Sequence, residues 1–200
     1  MDEFGSRHEA LKAAFASAFE RGKGNGEIFA LRLQHHSFAY FAEQLSLLYP
    51  SLFDDKSRFQ AAFGRTLFIH LTRKNKLEQA ISYVKAAQSG LWHIASDGTE
   101  LERLSAPREP FYDREMIASQ RDAFTQMEAA WQAWFAQEQI EPLQVTYDEL
   151  SAAPYATLGR VLRAIGLAAE PIDERTPPVA KLADAINREW FERFQCEAKR

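Results

Sequence analysis

Apolar residues recur at helical spacing along most of the chain and form short β-like runs at only a few places. From Arg7 to Arg21, Leu11, Ala14, Phe15, Ala18 and Phe19 share one helical face, and the GKGNG run at 22–26 ends that pattern. EIFALRLQ (27–34) places Phe29, Leu31 and Leu33 on one parity and reads as a strand buried on one face. A second helix follows, with Phe38, Phe41, Leu45 and Leu48 as its stripe, ended by Pro50 and the DDKSR run. TLFIHLT (66–72) is apolar and partly β-branched, as an interior strand of a largely parallel sheet is.

The next segment is the best-punctuated in the chain. Leu77, Ala80, Ile81, Val84 and Ala87 share a helical face, Asn75 is placed as N-cap with Glu78 three residues on for a capping box, and Gly90 closes the helix. A strand feeding directly into a helix is the start of a β-α unit. Residues 91–112 show no sustained period and read as a long irregular loop. A long helix is predicted over 113–139, where Ile117, Phe124, Met127, Trp131, Trp134 and Phe135 form an aromatic stripe that core packing explains best. PLQVTY (142–147) reads as a strand. Tyr155–Ile165 is a helix with Pro154 at its start and Gly166 at its end, ERTPP (174–178) a loop, and Val179–Phe194 a last helix with Leu182, Ile186, Trp190 and Phe194 stepping by four. The total is three strands and six helices, a helix-rich α/β arrangement with fewer strands than a doubly wound sheet normally has.

Composition narrows the function classes. The 200 residues carry 24 Lys plus Arg and 28 Asp plus Glu, a formal net charge of −4, with 46% hydrophobic and 26% charged residues. That is an ordinary globular mix, read as a single domain over 1–200. No basic field spans the chain, so a nucleic-acid partner is not expected. Cys196 is alone, which fits a reducing, cytoplasmic compartment and excludes a cysteine-rich metal site, and no metal is expected. No stretch is long and apolar enough for a transmembrane span, and the acidic start does not match a signal peptide.

The strongest chemical signal lies at 71–82, LTRKNKLEQAIS. Arg73 and Lys74 follow the carboxyl end of a predicted strand, where open α/β sheets bind ligands, and the next helix offers free N–H groups and a positive dipole end. Cations there suit a phosphate. Ser82, two turns in, adds a hydroxyl if it faces the sheet edge. The competing reading is a solvated turn. Lys23 sits between glycines but fails the P-loop spacing and reads as a plain turn. His35 and His36, as neighbours on a strand, point to opposite faces, and His70 reads as a satisfied core histidine. Trp92 and His93 suit the lining of a sugar or planar substrate site, or equally a loop anchor; Asp97, Glu100 and Glu102 read as solvated loop charges.

The segments NGEIFALRLQ (25–34), FIHLTRKNKLEQAISYVKAAQSGLWH (68–93), YDREMI (112–117), the long run 129–167 containing WQAWF and PLQVTYDEL, and KLADAINREWFERF (181–194) resemble the Stf0 family of bacterial carbohydrate sulfotransferases over about residues 25–195. The resemblance implies a P-loop-type sulfotransferase fold, a mostly parallel sheet flanked by many helices. It implies a 3'-phosphoadenosine-5'-phosphosulfate donor, adenosine 3',5'-bisphosphate as product, and a carbohydrate or glycolipid acceptor. The 3'-phosphate site carries over to Arg73 or Lys74 with Ser82; Trp92 and His93 of this sequence offer part of an acceptor wall. The family has Arg where Lys74 stands, and lysine lacks the bidentate fork. The family's opening strand, its Ser/Thr/Arg/Gly-rich phosphosulfate loop and its catalytic glutamate find no counterpart here, and Glu3 and Glu9 are poor replacements. The expectation is therefore a sulfotransferase fold with its first strand and loop missing and its catalytic residues unknown. The alternative is a non-catalytic or truncated homologue that binds a nucleotide or a protein partner. Aromatics of the 117–135 helix, if exposed, suit a homodimer face.

Overall fold

The computed structural model describes residues 3–168, 179–180 and 182–198. The loop expected at 174–178 lies outside them. The chain divides into two compact units, Met1–Phe68 with Trp131–Pro142, and Ile69–Ala130 with Leu143–Arg200.

The first unit is helical. It contains α1 (Glu3–Lys23), α2 (His35–Leu48), α3 (Asp55–Phe63) and the end of α5 (Arg114–Gln137). Leu45, Phe59, Phe135 and Ile140 are its buried apolar residues. Around them phenylalanine and tryptophan rings pack: Phe29 stacks on Phe63, Phe15 is tilted against Phe41, and Phe38 is tilted against Trp131 and edge-on to Trp134. The Trp134 indole donates to Asp55 Oδ2 at 3.1 Å, so the half-buried ring has its polar edge satisfied. Three expectations change here. Residues 27–34 form no strand: Ile28 and Leu31 are exposed, and Phe29 points into the ring stack with Phe19 and Phe63. DDKSR does not merely end a helix, because the Asp54 carboxylate accepts from Ser57 N at 2.7 Å and opens α3. The His35–His36 pair begins α2 rather than lying on a strand.

The second unit carries the strands. β1 (Ile69–Thr72) runs into α4 (Lys76–Ser89), and β4 (Leu143–Thr146) into α6 (Tyr147–Ala152) and α7 (Pro154–Ala164). β1 and β4 are parallel, with Thr72 opposite Thr146. The 91–112 stretch, expected as irregular, is largely a hairpin of β2 (Leu91–Ala95) and β3 (Glu100–Arg103); β2 also pairs with β5 (Val179–Ala180). The order β3-β2-β5 is antiparallel. Among the described residues the sheets are thus a parallel pair and an antiparallel triplet, not the single mostly parallel sheet expected. α8 (Ala185–Glu197) starts later than expected because Val179 and Ala180 pair with β2.

The core of this unit is the predicted α4 face. Ala80, Ile81 and Val84 pack with Ile117 of α5 and with Trp190 and Phe194 of α8. Gly90 ends α4 at φ 76°, and a Cβ there would lie 2.3 Å from Ser105 Oγ, so both conformation and space demand glycine. The α5 aromatics are not an exposed stripe. Ile117 and Phe135 are buried and Trp131 and Trp134 half-buried, so the basis for a dimer face on this helix falls away. Among the described residues no helix is long and apolar enough to cross a membrane.

Candidate functional site

β1 and β4 end side by side, and the residues that follow each strand converge. Parallel strands place their carboxyl ends together, so Arg73 after β1 and Tyr147 after β4 meet there, the guanidinium carbon 4.7 Å from the ring centroid. Arg73 is largely buried, its side chain 16% exposed. Its Nη1 points to Ser82 Oγ at 3.5 Å, and its Nη2 donates to Glu78 Oε2 at 3.0 Å. Its Nε is buried without a hydrogen-bond acceptor, an orphan donor of the kind that an added anion relieves.

The turn is held from both ends. Asn75 Oδ1 accepts from Glu78 N at 3.1 Å and caps α4 as predicted, leaving the amides of Lys76 and Leu77 in the turn that has no intrahelical acceptor. The expected capping box closes only on that side, since the Glu78 carboxylate is turned to Arg73. Ser82 also accepts from Asn187 Nδ2 at 3.3 Å. Lys85 Nζ then ties α4 to the start of α8 through Asp184 at 2.6 Å, Asn187 Oδ1 at 3.0 Å and Leu182 O at 3.2 Å.

Beneath the turn lies a polar network. Glu128 Oε2 accepts from Thr72 Oγ1 at 2.5 Å and Lys76 Nζ at 3.0 Å, and Oε1 lies 3.5 Å from His70 Nε2. His70 is 6% exposed and its Nδ1 pairs with Gln144 Oε1 at 3.1 Å, as a satisfied core histidine should. Burial pushes the Glu128 carboxyl up, but the bonds from Thr72 and Lys76 and the Lys76 charge outweigh it, and its pKa lies below the ordinary value. Lys76 is therefore committed to Glu128, and Arg73 is the cation that meets Tyr147 at the strand ends.

Each sequence candidate can be placed. Arg73 and Ser82 come together. Lys74 is exposed, and its charge acts on Glu149. The Glu149 carboxyl sits below its ordinary pKa chiefly through the bond from Thr146 N, with Arg160 and Lys74 adding to the effect. Trp92 packs edge-on against Tyr83, ring centroids 5.4 Å apart. His93 is exposed on β2, and its Nδ1 pairs with Glu102 Oε2 of β3 at 2.5 Å. Glu102 and Glu100 are thus hairpin partners rather than plain solvated charges; Glu100 pairs with Arg103. Lys23 ends α1 at a plain turn. Sequence reasoning did not find Tyr147, Glu128 or Asn187; the parallel pairing of two strands with polar continuations was the available signal for Tyr147.

A guanidinium, a hydroxyl and a helix start suit a phosphate chemically. The model of the Stf0 sulphotransferase family matches residues 1–197, taking in the opening helix that the resemblance at 25–195 left out. Trehalose 2-sulfotransferase of Mycolicibacterium smegmatis is 31% identical over 138 residues, covering 67% of this chain and 47% of that protein. Trehalose 2-sulfotransferase of Mycobacterium tuberculosis is 29% identical over 134 residues, again 67% of this chain and 47% of the relative. The chain spans about half the length of these curated relatives.

Proposed function

The chain belongs to the Stf0 sulfotransferase family, and we propose that it holds the nucleotide of a 3'-phosphoadenosine-5'-phosphosulfate donor while the sulfuryl group passes to a carbohydrate hydroxyl. The observation that carries this reading is the convergence of Arg73, Ser82 and the α4 start at the ends of β1 and β4. In this reading residues 1–200 act as one sulfotransferase-like domain with the family's P-loop-type ancestry, consistent with a family match that runs through both units.

The 3'-phosphate of the donor takes the Arg73 fork, the Ser82 hydroxyl and the first-turn amides, with Lys74 adding charge from the exposed side. In the reaction the acceptor oxygen bonds to sulfur as the bond from sulfur to the 5'-phosphate oxygen breaks, and the acceptor proton leaves to a base. Holding the nucleotide rigidly keeps the leaving group in line, which is the entropic part of catalysis. Trp92 and His93 supply an amphipathic wall for a sugar; His93, oriented by Glu102, presents Nε2 as a hydrogen-bond partner for a hydroxyl. The relatives' names make a trehalose-like disaccharide the acceptor to try first.

The test is transfer of labelled sulfuryl from the donor to trehalose, run beside calorimetric titration with adenosine 3',5'-bisphosphate. Labelled disaccharide supports the full reading. Nucleotide binding without transfer supports the nucleotide site and assigns the chain a binding role. Neither binding nor transfer by folded protein overturns the proposal.

A further inference from the structure

We propose that Glu78 is a built-in competitor for the nucleotide phosphate, and that it sets the affinity of the Arg73 site. The inference rests on the reading of Arg73 and Ser82 as a phosphate site, and it concerns what stands in that site before the phosphate arrives. Three observations carry it.

The first is position. One face of the Arg73 guanidinium is covered by Tyr147, Nε is buried, and Nη1 faces Ser82. The edge that remains for an anion is the one shared by Nε, which has no acceptor, and Nη2, and the Glu78 carboxylate already occupies Nη2 at 3.0 Å. A carboxylate at that edge, in the first turn of α4, takes the place that a phosphate oxygen would take for the same electrostatic reasons.

The second is what Glu78 gives up. Its backbone amide is bound to Asn75, the geometry of a capping box, yet its carboxylate does not complete the box as the Glu149 carboxylate does at Thr146. Arg73 is the stronger partner for it.

The third is the difference in exposure within the pair. Arg73 is 16% exposed and Glu78 46%. The arginine is fixed by its surroundings, whereas the acid can swing into water at small cost. An incoming phosphate therefore displaces Glu78 and leaves Arg73 in place. A dianionic phosphomonoester outcompetes one carboxylate, while singly charged anions do so poorly. If Glu78 stayed nearby, its charge would oppose the phosphate directly. Either way it lowers the affinity of the site for the nucleotide phosphate.

The experiment is calorimetric titration of wild type, Glu78→Gln, Arg73→Ala and the double variant with adenosine 3',5'-bisphosphate, and with adenosine 5'-monophosphate as the ligand lacking the 3'-phosphate. Gln keeps the size and helix propensity of Glu, and Glu78→Ala serves as a second variant should Gln fold poorly. The expected result is about tenfold tighter binding of the bisphosphate to Glu78→Gln, as removal of one adjacent like charge predicts. Binding of the monophosphate should change less than about twofold, and the gain should vanish when Arg73 is also Ala, because the two residues act as a coupled pair. A merely structural role for Glu78 would not tighten binding. Unchanged or weaker binding in Glu78→Gln, with Arg73→Ala still impaired, overturns the competitor role and leaves the nucleotide site standing. Wild-type binding in Arg73→Ala overturns the site and the competitor role together.

Discussion

Arg73 lies over the ring of Tyr147, 4.7 Å from its centroid, so the residues that follow two parallel strands form one cradle. The ring shields the guanidinium from water on one face and fixes its plane. Tyr147→Ala is expected to free Arg73 and weaken adenosine 3',5'-bisphosphate binding about three- to tenfold, a loss of the size measured for partly desolvated cation–π contacts. Tyr147→Phe keeps the ring and should bind within about twofold of wild type. Calorimetry on both variants measures the difference.

Glu128 links His70, Thr72 and Lys76 beneath the site. Glu128→Ala leaves these half-buried groups short of a partner and is expected to cost about 1–3 kcal/mol in urea unfolding. The pH dependence follows from the lowered carboxyl. A carboxylate with a folded-state pKa below its unfolded value contributes its full stability above the unfolded value and loses it as pH falls through the folded one. Wild type should therefore lose stability more steeply than Glu128→Ala as pH falls below about 4. Urea midpoints at a series of acidic pH values check this.

Trp190 is 3% exposed and packs with Ala80, Ile81, Val84 and Ile117. Trp190→Ala is expected to cost about 3–5 kcal/mol, the usual loss for an aromatic deleted from a core. Because α8 also positions Asn187 against Ser82, the variant should lose nucleotide affinity together with stability. Parallel thermal melts with and without nucleotide report both.

His93→Ala and Glu102→Gln act on the exposed hairpin pair. If the pair faces the acceptor, both variants raise the KM for a disaccharide severalfold and leave adenosine 3',5'-bisphosphate binding unchanged. Steady-state kinetics with varied acceptor separates the two effects.

Much of the site's frame was legible in the sequence, because it is local. Asn75, the Ala80-Ile81-Val84 face and Gly90 specify α4 within fifteen or so residues, and the structure keeps each. The meeting of Arg73 with Ser82 follows from helix geometry once the strand before it is placed. Tyr147 was not legible, since its role comes from pairing between strands some seventy residues apart in sequence. EIFALRLQ misled because its apolar alternation is real, yet Leu31 is exposed and Phe29 packs as a single ring among phenylalanines of the first unit. The 91–103 hairpin was hidden by its polar second strand, ELER, although Asp97-Gly98 marks its turn and Gly98 takes φ 88°. Nothing in the sequence singles out Glu128; only the fold brings it to Thr72 and Lys76.

In the proposed reading Arg73 and Ser82 grip the phosphate on the ribose 3' position. It is tested most directly by the ratio of dissociation constants for adenosine 5'-monophosphate and adenosine 3',5'-bisphosphate, measured on folded wild type, Arg73→Ala and Ser82→Ala. The account predicts a preference for the bisphosphate of more than about tenfold in wild type, collapsing toward unity in Arg73→Ala and falling partway in Ser82→Ala, as loss of charge-assisted bonds to one phosphate requires. A wild-type protein that binds the two nucleotides equally, or an Arg73→Ala variant that keeps the full preference, would contradict it.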